Sequence, residues 1–188
     1  MNHSYLTNPE IDLESLIIDT PRTTIEPFRI EWIDFEDLTK AFCEANENLY
    51  ISPFLPSVEE ERDFIASTIE NRQNNKALEC YVFNAISKEL IGSVGISDLD
   101  TPEPNLWLWI RKEYHGKWYG TEVYAAMLNW VKKETNFSFF KHTVNPKNIP
   151  SIRLAEKFNG KIQGALTKKG ELKYYIPTRE ASDSWLFW

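Results

Sequence analysis

Leu106-Trp107-Leu108-Trp109-Ile110, then Tyr114-His115-Gly116-Lys117-Trp118-Tyr119-Gly120-Thr121-Glu122, then an amphipathic run to Val131: this stretch decides how the chain reads. Five apolar residues make a strand, two glycines make a turn, and Val123, Ala126, Met127, Trp130 and Val131 recur at helical spacing. A strand that turns sharply into a helix leaves several N–H groups unpaired at the helix start. They are aimed one way and backed by the positive end of the helix dipole. Such a start suits a phosphate. Glycines before a helix also serve packing alone, so the stretch by itself leaves both readings open.

Downstream, Ser138 to Val144 reads as a strand and Asn145-Pro146-Lys147-Asn148-Ile149-Pro150-Ser151 as a turn. Asn148 caps a helix with proline in its first turn, and Asn159-Gly160, which tolerate the left-handed conformation, stop it. Lys161 to Leu166, Leu172 to Ile176 and Trp185 to Trp188 read as closing strands. Upstream, Arg22 to Phe28 forms a first strand, Asp34 caps a helix carrying Phe35, Leu38, Phe42 and Ala45, and Pro53 and Pro56 break the chain. Ser57 and Glu60 make a capping box for a second helix that buries Phe64, Ile65, Thr68 and Ile69. Glu79 to Ala85 and Leu90 to Ser97 form an antiparallel hairpin. Residues 1–19 lack periodicity and are expected to drape on the surface as a tail, leaving one domain over 20–188. The element order gives an α+β fold, a mixed layout with one central, mostly antiparallel sheet and helices on both faces.

Composition narrows the function. The 188 residues suffice for one buried core, and no run of 18 or more apolar residues is present to span a membrane. The polar N-terminal segment lacks the basic-then-apolar layout of a secretion signal. Cys43 and Cys80 lie far apart, which fits a reducing compartment, so a cytoplasmic location is expected. A net charge of -7 argues against a nucleic-acid backbone as the partner. His3, His115 and His142 with the two cysteines lack any zinc spacing, so no metal is expected. Gly116-Lys117 is not a P-loop, because Arg111 stands where a glycine is needed and Trp118 where Ser or Thr is needed. Gly92-Ser93-Val94-Gly95 lacks the spacing of a nucleophile elbow.

The pairing of His115 to Glu122 with Asn145 to Gly160 resembles the GNAT superfamily of N-acetyltransferases, in its RimJ/RimL-like branch. The family's first motif, Gln/Arg-x-x-Gly-x-Gly/Ala at a helix start, falls on His115 to Gly120. The second, Asn-x-x-Ser with Gly-Phe eight residues on, falls on Asn148, Ser151 and Asn159-Gly160. Thr20-Pro21-Arg22 to Pro27 looks like the branch's first strand. The resemblance runs from about Thr20 to Gly164. It implies a sheet splayed between its fourth and fifth strands, 106–110 and 139–144, with acetyl-CoA as co-substrate.

The same resemblance implies roles for single residues. Amides of His115, Gly116, Lys117, Trp118, Tyr119, Gly120 and Thr121 would hold the diphosphate. The pantetheine arm would lie along Trp109 and Ile110, and an N–H near Leu108 or Trp109 would meet the acetyl carbonyl. Asn145 and Asn148 would hold the pantetheine amides, Lys117 and Arg153 would pair with phosphates, and Ser151 would donate a proton to the departing thiolate. Bland readings stand beside these. Asn148 is a helix cap, Ser151 is a first-turn residue that bonds to the backbone, and exposed cations at helix edges usually just solvate.

Three positions depart from the family pattern. Trp118 stands at the central glycine of the phosphate loop, His115 at the usual Arg or Gln, and Asn105-Leu106-Trp107 at a Glu-x-Gly. Gln163-Gly164 likewise replaces a Glu-Gly. A base for the amine is therefore missing at 105. Asp98, Asp100 and Glu103, or an ordered water acting for them, are the replacements, and Asp98 is taken as catalytic. Trp107, Trp109, Tyr114, Trp118 and Tyr119 either line an acceptor pocket for a flat or apolar group or belong to the core.

Two functions follow. One is an N-acetyltransferase that moves acetyl from acetyl-CoA to a primary amine, on a small molecule or a protein N-terminus, by direct attack in a ternary complex. The other is a non-catalytic CoA-binding sensor or interaction protein that keeps the fold. The acceptor and the oligomeric state, a homodimer included, stay open.

Overall fold

The computed structural model describes residues 12–50 and 55–178; the expected break at Pro53-Phe54 and the expected strand Trp185 to Trp188 lie outside them. In chain order the elements are β1 (Ile18–Asp19), β2 (Thr23–Pro27), α1 (Phe35–Leu49), α2 (Val58–Gln73), β3 (Leu78–Asn84), β4 (Leu90–Ser97), β5 (Asn105–Ile110), α3 (Tyr119–Glu134), β6 (Phe139–Val144), α4 (Ile149–Lys157), β7 (Lys161–Ile162) and β8 (Leu172–Pro177). The strands form one sheet in the order β1-β2-β3-β4-β5-β6-β8-β7. Only the β5/β6 pair is parallel.

Helix starts follow local chemistry. Asp34 accepts from the amides of Glu36 and Asp37, Ser57 and Glu60 form the reciprocal capping box, and Asn148 accepts from Ser151 N. Asn159 takes the left-handed conformation after α4, at φ 61°. Three expectations need correction. Phe64 is 43% exposed, so Ile65 and Thr68 carry the buried face of α2. The strand expected over Lys161 to Leu166 shrinks to the two residues of β7. Of the segment expected to drape as a tail, residues 12–19 join the fold: Leu13 is buried in the core and β1 pairs with β2.

The sheet carries a core on each face, as strand alternation requires. Leu78, Cys80, Val82 and Leu106 pack with Val123, Met127 and Ala155 under α3 and α4. Tyr81 and Trp109 pack with Phe35, Leu38 and Ile65 under α1 and α2. Each fully buried side chain such as Leu38 or Phe140 stabilises the fold by about 1.5–3 kcal/mol.

The one parallel pair positions the site. β5 and β6 share a single register pair, Asn105 with Lys141, where Lys141 N donates to Pro104 O at 2.8 Å. Beyond it the strands part. The expected splay is present, and it becomes the gap between β5 and β6 because β1 adds a strand at the edge.

Candidate active site

The phosphate-suited turn follows from two left-handed residues, Gly116 at φ 71° and Trp118 at φ 69°. Alternating hand along a short segment turns successive N–H groups toward one concavity. Among the described residues, no protein acceptor meets the amides of Gly116, Lys117, Trp118, Tyr119, Gly120 or Thr121; Glu122 N is the first to close a helical bond, to Trp118 O at 3.1 Å. His115 departs from expectation. Its amide donates to Lys112 O at 3.1 Å across a 3-10 turn, and its Nε2 contacts Ile110 O at 2.6 Å, so the cradle starts one residue later.

Trp118 does not block this cradle. Its side chain is 68% exposed at the rim, with Lys157 Nζ 4.5 Å from the ring centre. The loop is braced from outside the motif by Arg22. Its Nη1 donates to Lys117 O at 3.0 Å, its Nε donates to Glu122 at 2.7 Å, and its guanidinium lies 4.3 Å from the centre of the Tyr119 ring. Thr20 Oγ1 also donates to Glu122, at 2.6 Å. These hydrogen bonds hold the Glu122 carboxyl below its usual range against the opposing effect of burial.

From the cradle a cleft of about 400 Å³ runs along β5 and α4. Trp109, Ile110, Gly120, Thr121, Asn148 and Ser151 border it. Strand alternation fixes which main-chain groups face it. Arg111 N donates to Ile91 O on the β4 side, whereas Ile110 O meets His115 and Leu106 O meets His142 on the gap side. Even-numbered residues of β5 therefore turn their amides to the gap. Leu108, not Trp109, offers an N–H there; Trp109 pairs with Ser93 and sends its ring to the α1/α2 core, 5.5 Å from Phe42.

His142 holds the apex of the gap. Its Nδ1 lies 3.0 Å from Leu106 O, replacing the strand bond that the splay removes, and its Nε2 lies 2.8 Å from Ser151 Oγ. Tyr124 Oη sits 3.3 Å from Nδ1. Burial pushes the imidazole pKa down to about 4, partly opposed by the bond to Leu106, so the ring is neutral near pH 7. A carbonyl can only accept, so Nδ1 carries the proton and Nε2 accepts from the Ser151 hydroxyl. Ser151 is thus aimed at rest toward His142, with its oxygen lone pairs left to the cleft.

The remaining expected residues divide. Asn148 is both cap and cleft wall: its Oδ1 accepts from Ser151 N at 3.1 Å. Arg153 is exposed on the cleft rim, and Lys117 stacks 5.6 Å from the Tyr114 ring. Asn145 builds the turn instead, accepting from Lys147 N at 2.9 Å, and does not border the cleft. Asp98 is not brought to it either. It is exposed, pairs with Lys141 Nζ at 3.6 Å, and lies at the closed end of the splay beside a separate, smaller hollow. His142, Arg22 and Lys157 were missed. The only sequence cue for His142 was a polar residue between Phe140 and Val144 on the inward phase of β6.

Comparisons with known proteins agree with this geometry. The model of the acetyltransferase (GNAT) domain matches residues 22–161. No curated protein sequence matches the chain. An acetyltransferase (GNAT family) from Bacillus anthracis shares the fold at TM-score 0.71 and 22% identity, over 87% of this chain and 99% of that one. So does an acetyl transferase from Salmonella typhimurium that modifies the N-terminal serine of a 50S ribosomal subunit protein, at TM-score 0.73 and 14% identity over 86% and 99% of the two chains. RimJ of Mycobacterium smegmatis, in complex with CoA-disulfide, aligns at TM-score 0.70 and 14% identity over 82% and 81%. With the family model matching residues 22–161, most of the chain, and a splayed sheet of this form, the chain belongs to the GNAT acetyltransferases.

Proposed function

We propose that this protein is an N-acetyltransferase that passes acetyl from acetyl-CoA directly to a primary amine, on a protein N-terminus or a small molecule, in a ternary complex. The observation that carries the reading is one continuous cleft, with unpaired amides from Gly116 to Thr121 at one end and Leu108 N–H with Ser151 at the other. Bound there, acetyl-CoA supplies an activated thioester. The amides and the rim cations Arg153 and Lys157 hold its phosphates, and Leu108 N–H stabilises charge developing on the carbonyl oxygen. Ser151 needs only to rotate its hydroxyl away from His142, giving up one hydrogen bond of about 1 kcal/mol, to aim its proton at the departing sulfur. The neighbours that carry CoA and modify an N-terminal serine support this choice of donor and acceptor class. A cytoplasmic setting goes with it, in keeping with the free thiols Cys43 and Cys80.

Two measurements test the proposal. Acetyl-CoA at about 100 times its dissociation constant should stabilise the protein by roughly 2.7 kcal/mol in a melting curve. Thiol release with N-terminal peptides and small amines then tests turnover. Absence of binding overturns the reading. Tight binding without release to any amine leaves the non-catalytic CoA-binding protein, a reading kept in view by Asn105 standing where the branch carries a carboxylate.

A further inference from the structure

Ser151 is held in a state that suits a second reaction, one that rests on the transferase reading for its acetyl donor. Its hydroxyl donates to His142 Nε2 at 2.8 Å, and Nδ1 of the same ring donates to Leu106 O at 3.0 Å. The carbonyl fixes both assignments, because it can only accept. A hydroxyl with its proton on an imidazole nitrogen, and the far nitrogen fixed by a third group, is the arrangement that activates a weak nucleophile. The same bond works against Ser151 as an acid, since a proton meant for sulfur must first leave a good acceptor.

The imidazole is locked in place. It is buried on β6 opposite Tyr174 of β8, and Tyr124 packs edge-on against it with ring centres 5.6 Å apart and Oη 3.3 Å from Nδ1. Phe158 backs Tyr124 in turn, at 5.1 Å between ring centres. Ser151 is set by α4, where it is the third residue and its N–H donates to the cap, Asn148 Oδ1, at 3.1 Å. His142, Ser151 and Leu108 all border the one cleft read above as holding acetyl-CoA. Leu108 N–H can therefore take the charge that develops on the acetyl oxygen whether an amine or Ser151 attacks. Burial keeps the ring neutral near pH 7, which leaves Nε2 free to accept a proton.

We propose that Ser151 and His142 form a nucleophilic dyad that gives this chain a second activity, the slow hydrolysis of acetyl-CoA through an acetyl ester on Ser151 when no amine occupies the cleft. Ser151 Oγ bonds to the acetyl carbon as its proton passes to His142 Nε2, and the carbonyl electron pair moves to the oxygen facing Leu108 N–H. Collapse breaks the carbon–sulfur bond, and the sulfur leaves with the proton from Nε2 as CoA thiol. Water then attacks the ester by the same route: one of its protons passes through Nε2 back to Ser151 Oγ, and the acetyl group departs as acetic acid, which ionises. The sum is acetyl-CoA plus water giving CoA thiol, acetate and a proton. A carbonyl on Nδ1 fixes the tautomer but does not neutralise the imidazolium as a carboxylate does, and loss of that carboxylate lowers a full triad by about 10⁴. From a typical kcat of about 10 s⁻¹ this leaves a rate on the order of 10⁻³ s⁻¹, slow enough for an amine to outrun it.

The test gives the full chain acetyl-CoA, and separately p-nitrophenyl acetate, with no amine present. Leaving-group release is followed over time, and protein acid-quenched within the first turnover is mapped by mass spectrometry. The wild type should release CoA thiol faster than protein-free buffer and carry an acetyl group on the peptide that holds Ser151. Ser151→Ala should lose both, and His142→Gln should lower release by about 10²-fold or more. Ser151→Ala removes one oxygen and keeps the main-chain bond to the Asn148 cap, so it decides the matter even if His142→Gln fails to fold. Release no faster than buffer, release unchanged in Ser151→Ala, or a quenched protein without acetyl on Ser151 would each overturn the dyad. The transferase reading fails separately. If acetyl-CoA does not stabilise the protein, that reading falls and p-nitrophenyl acetate still decides whether Ser151 is acylated; if amines drive CoA release while Ser151 stays unmodified, the dyad alone falls.

Discussion

Gly120 offers a clean separation of what the fold needs from what a ligand needs. It lies in the first turn of α3 and on the cleft wall. A Cβ added there would meet Leu108 Cδ1 at 3.6 Å and Ile110 Cγ1 at 3.9 Å, both ordinary contacts. Nothing inside the described protein therefore asks for glycine. Alanine is favoured over glycine in a helix by about 0.8–1.0 kcal/mol in the interior and somewhat less in the first turn. At this chain length about 1 kcal/mol moves the melting temperature by about 2–4 °C, so apo Gly120→Ala should melt about 1–4 °C higher than wild type. The same methyl projects into the space where a diphosphate must reach the amides. Losing one charge-assisted hydrogen bond there costs about 1.5–3 kcal/mol, or about 10- to 150-fold in affinity for acetyl-CoA. Scanning fluorimetry of the apo protein with calorimetry of acetyl-CoA reads both quantities. A variant that melts lower, or that binds acetyl-CoA as wild type does, would refute the placement of the cradle.

Other variants probe the same site. Trp118→Gly relieves a left-handed non-glycine residue, worth about 1–2 kcal/mol, but loses the Lys157 contact and adds unfolded-chain freedom; stability should change by less than about 1 kcal/mol, with acetyl-CoA affinity equal or higher by calorimetry. Ser151→Ala should lower kcat by about tenfold or more, while the acetyl-CoA dissociation constant changes less than about twofold. His142 is neutral when folded and titrates near its ordinary value when unfolded, so its contribution is complete above about pH 6.5 and is lost as pH falls toward about 4. His142→Gln should flatten the melting temperature across that acid window. For Glu79 the sign reverses. Its folded value lies above its ordinary one, so wild type loses stability as pH rises from 4.5 through about 8, at most on the order of 5 kcal/mol, and Glu79→Gln should melt higher than wild type near pH 8.

What the sequence disclosed was what neighbours in the chain decide. The caps at Asp34, Ser57 and Asn148 depend on groups two or three residues away, and each is present. Trp118 was legible as a departure but not as a harmless one: only the position of its ring, out at the rim beside Lys157, shows that the backbone can take the required hand without the side chain entering the cradle. His115 borders the cleft, but a 3-10 turn brings Lys112 O back to its amide, a choice that phosphate-motif spacing does not encode. Asp98, a candidate for the base missing at 105, is carried by the 98–104 loop to the closed end of the splay, where Lys141 holds it.

His142 was hidden for another reason. It depends on strand register, the one quantity that a period-two pattern leaves undetermined. His142 matters because its ring stands opposite Leu106 O, 36 positions earlier, where β5 and β6 no longer pair. The family motif was read along the chain, and the chemistry it stands for is arranged across it.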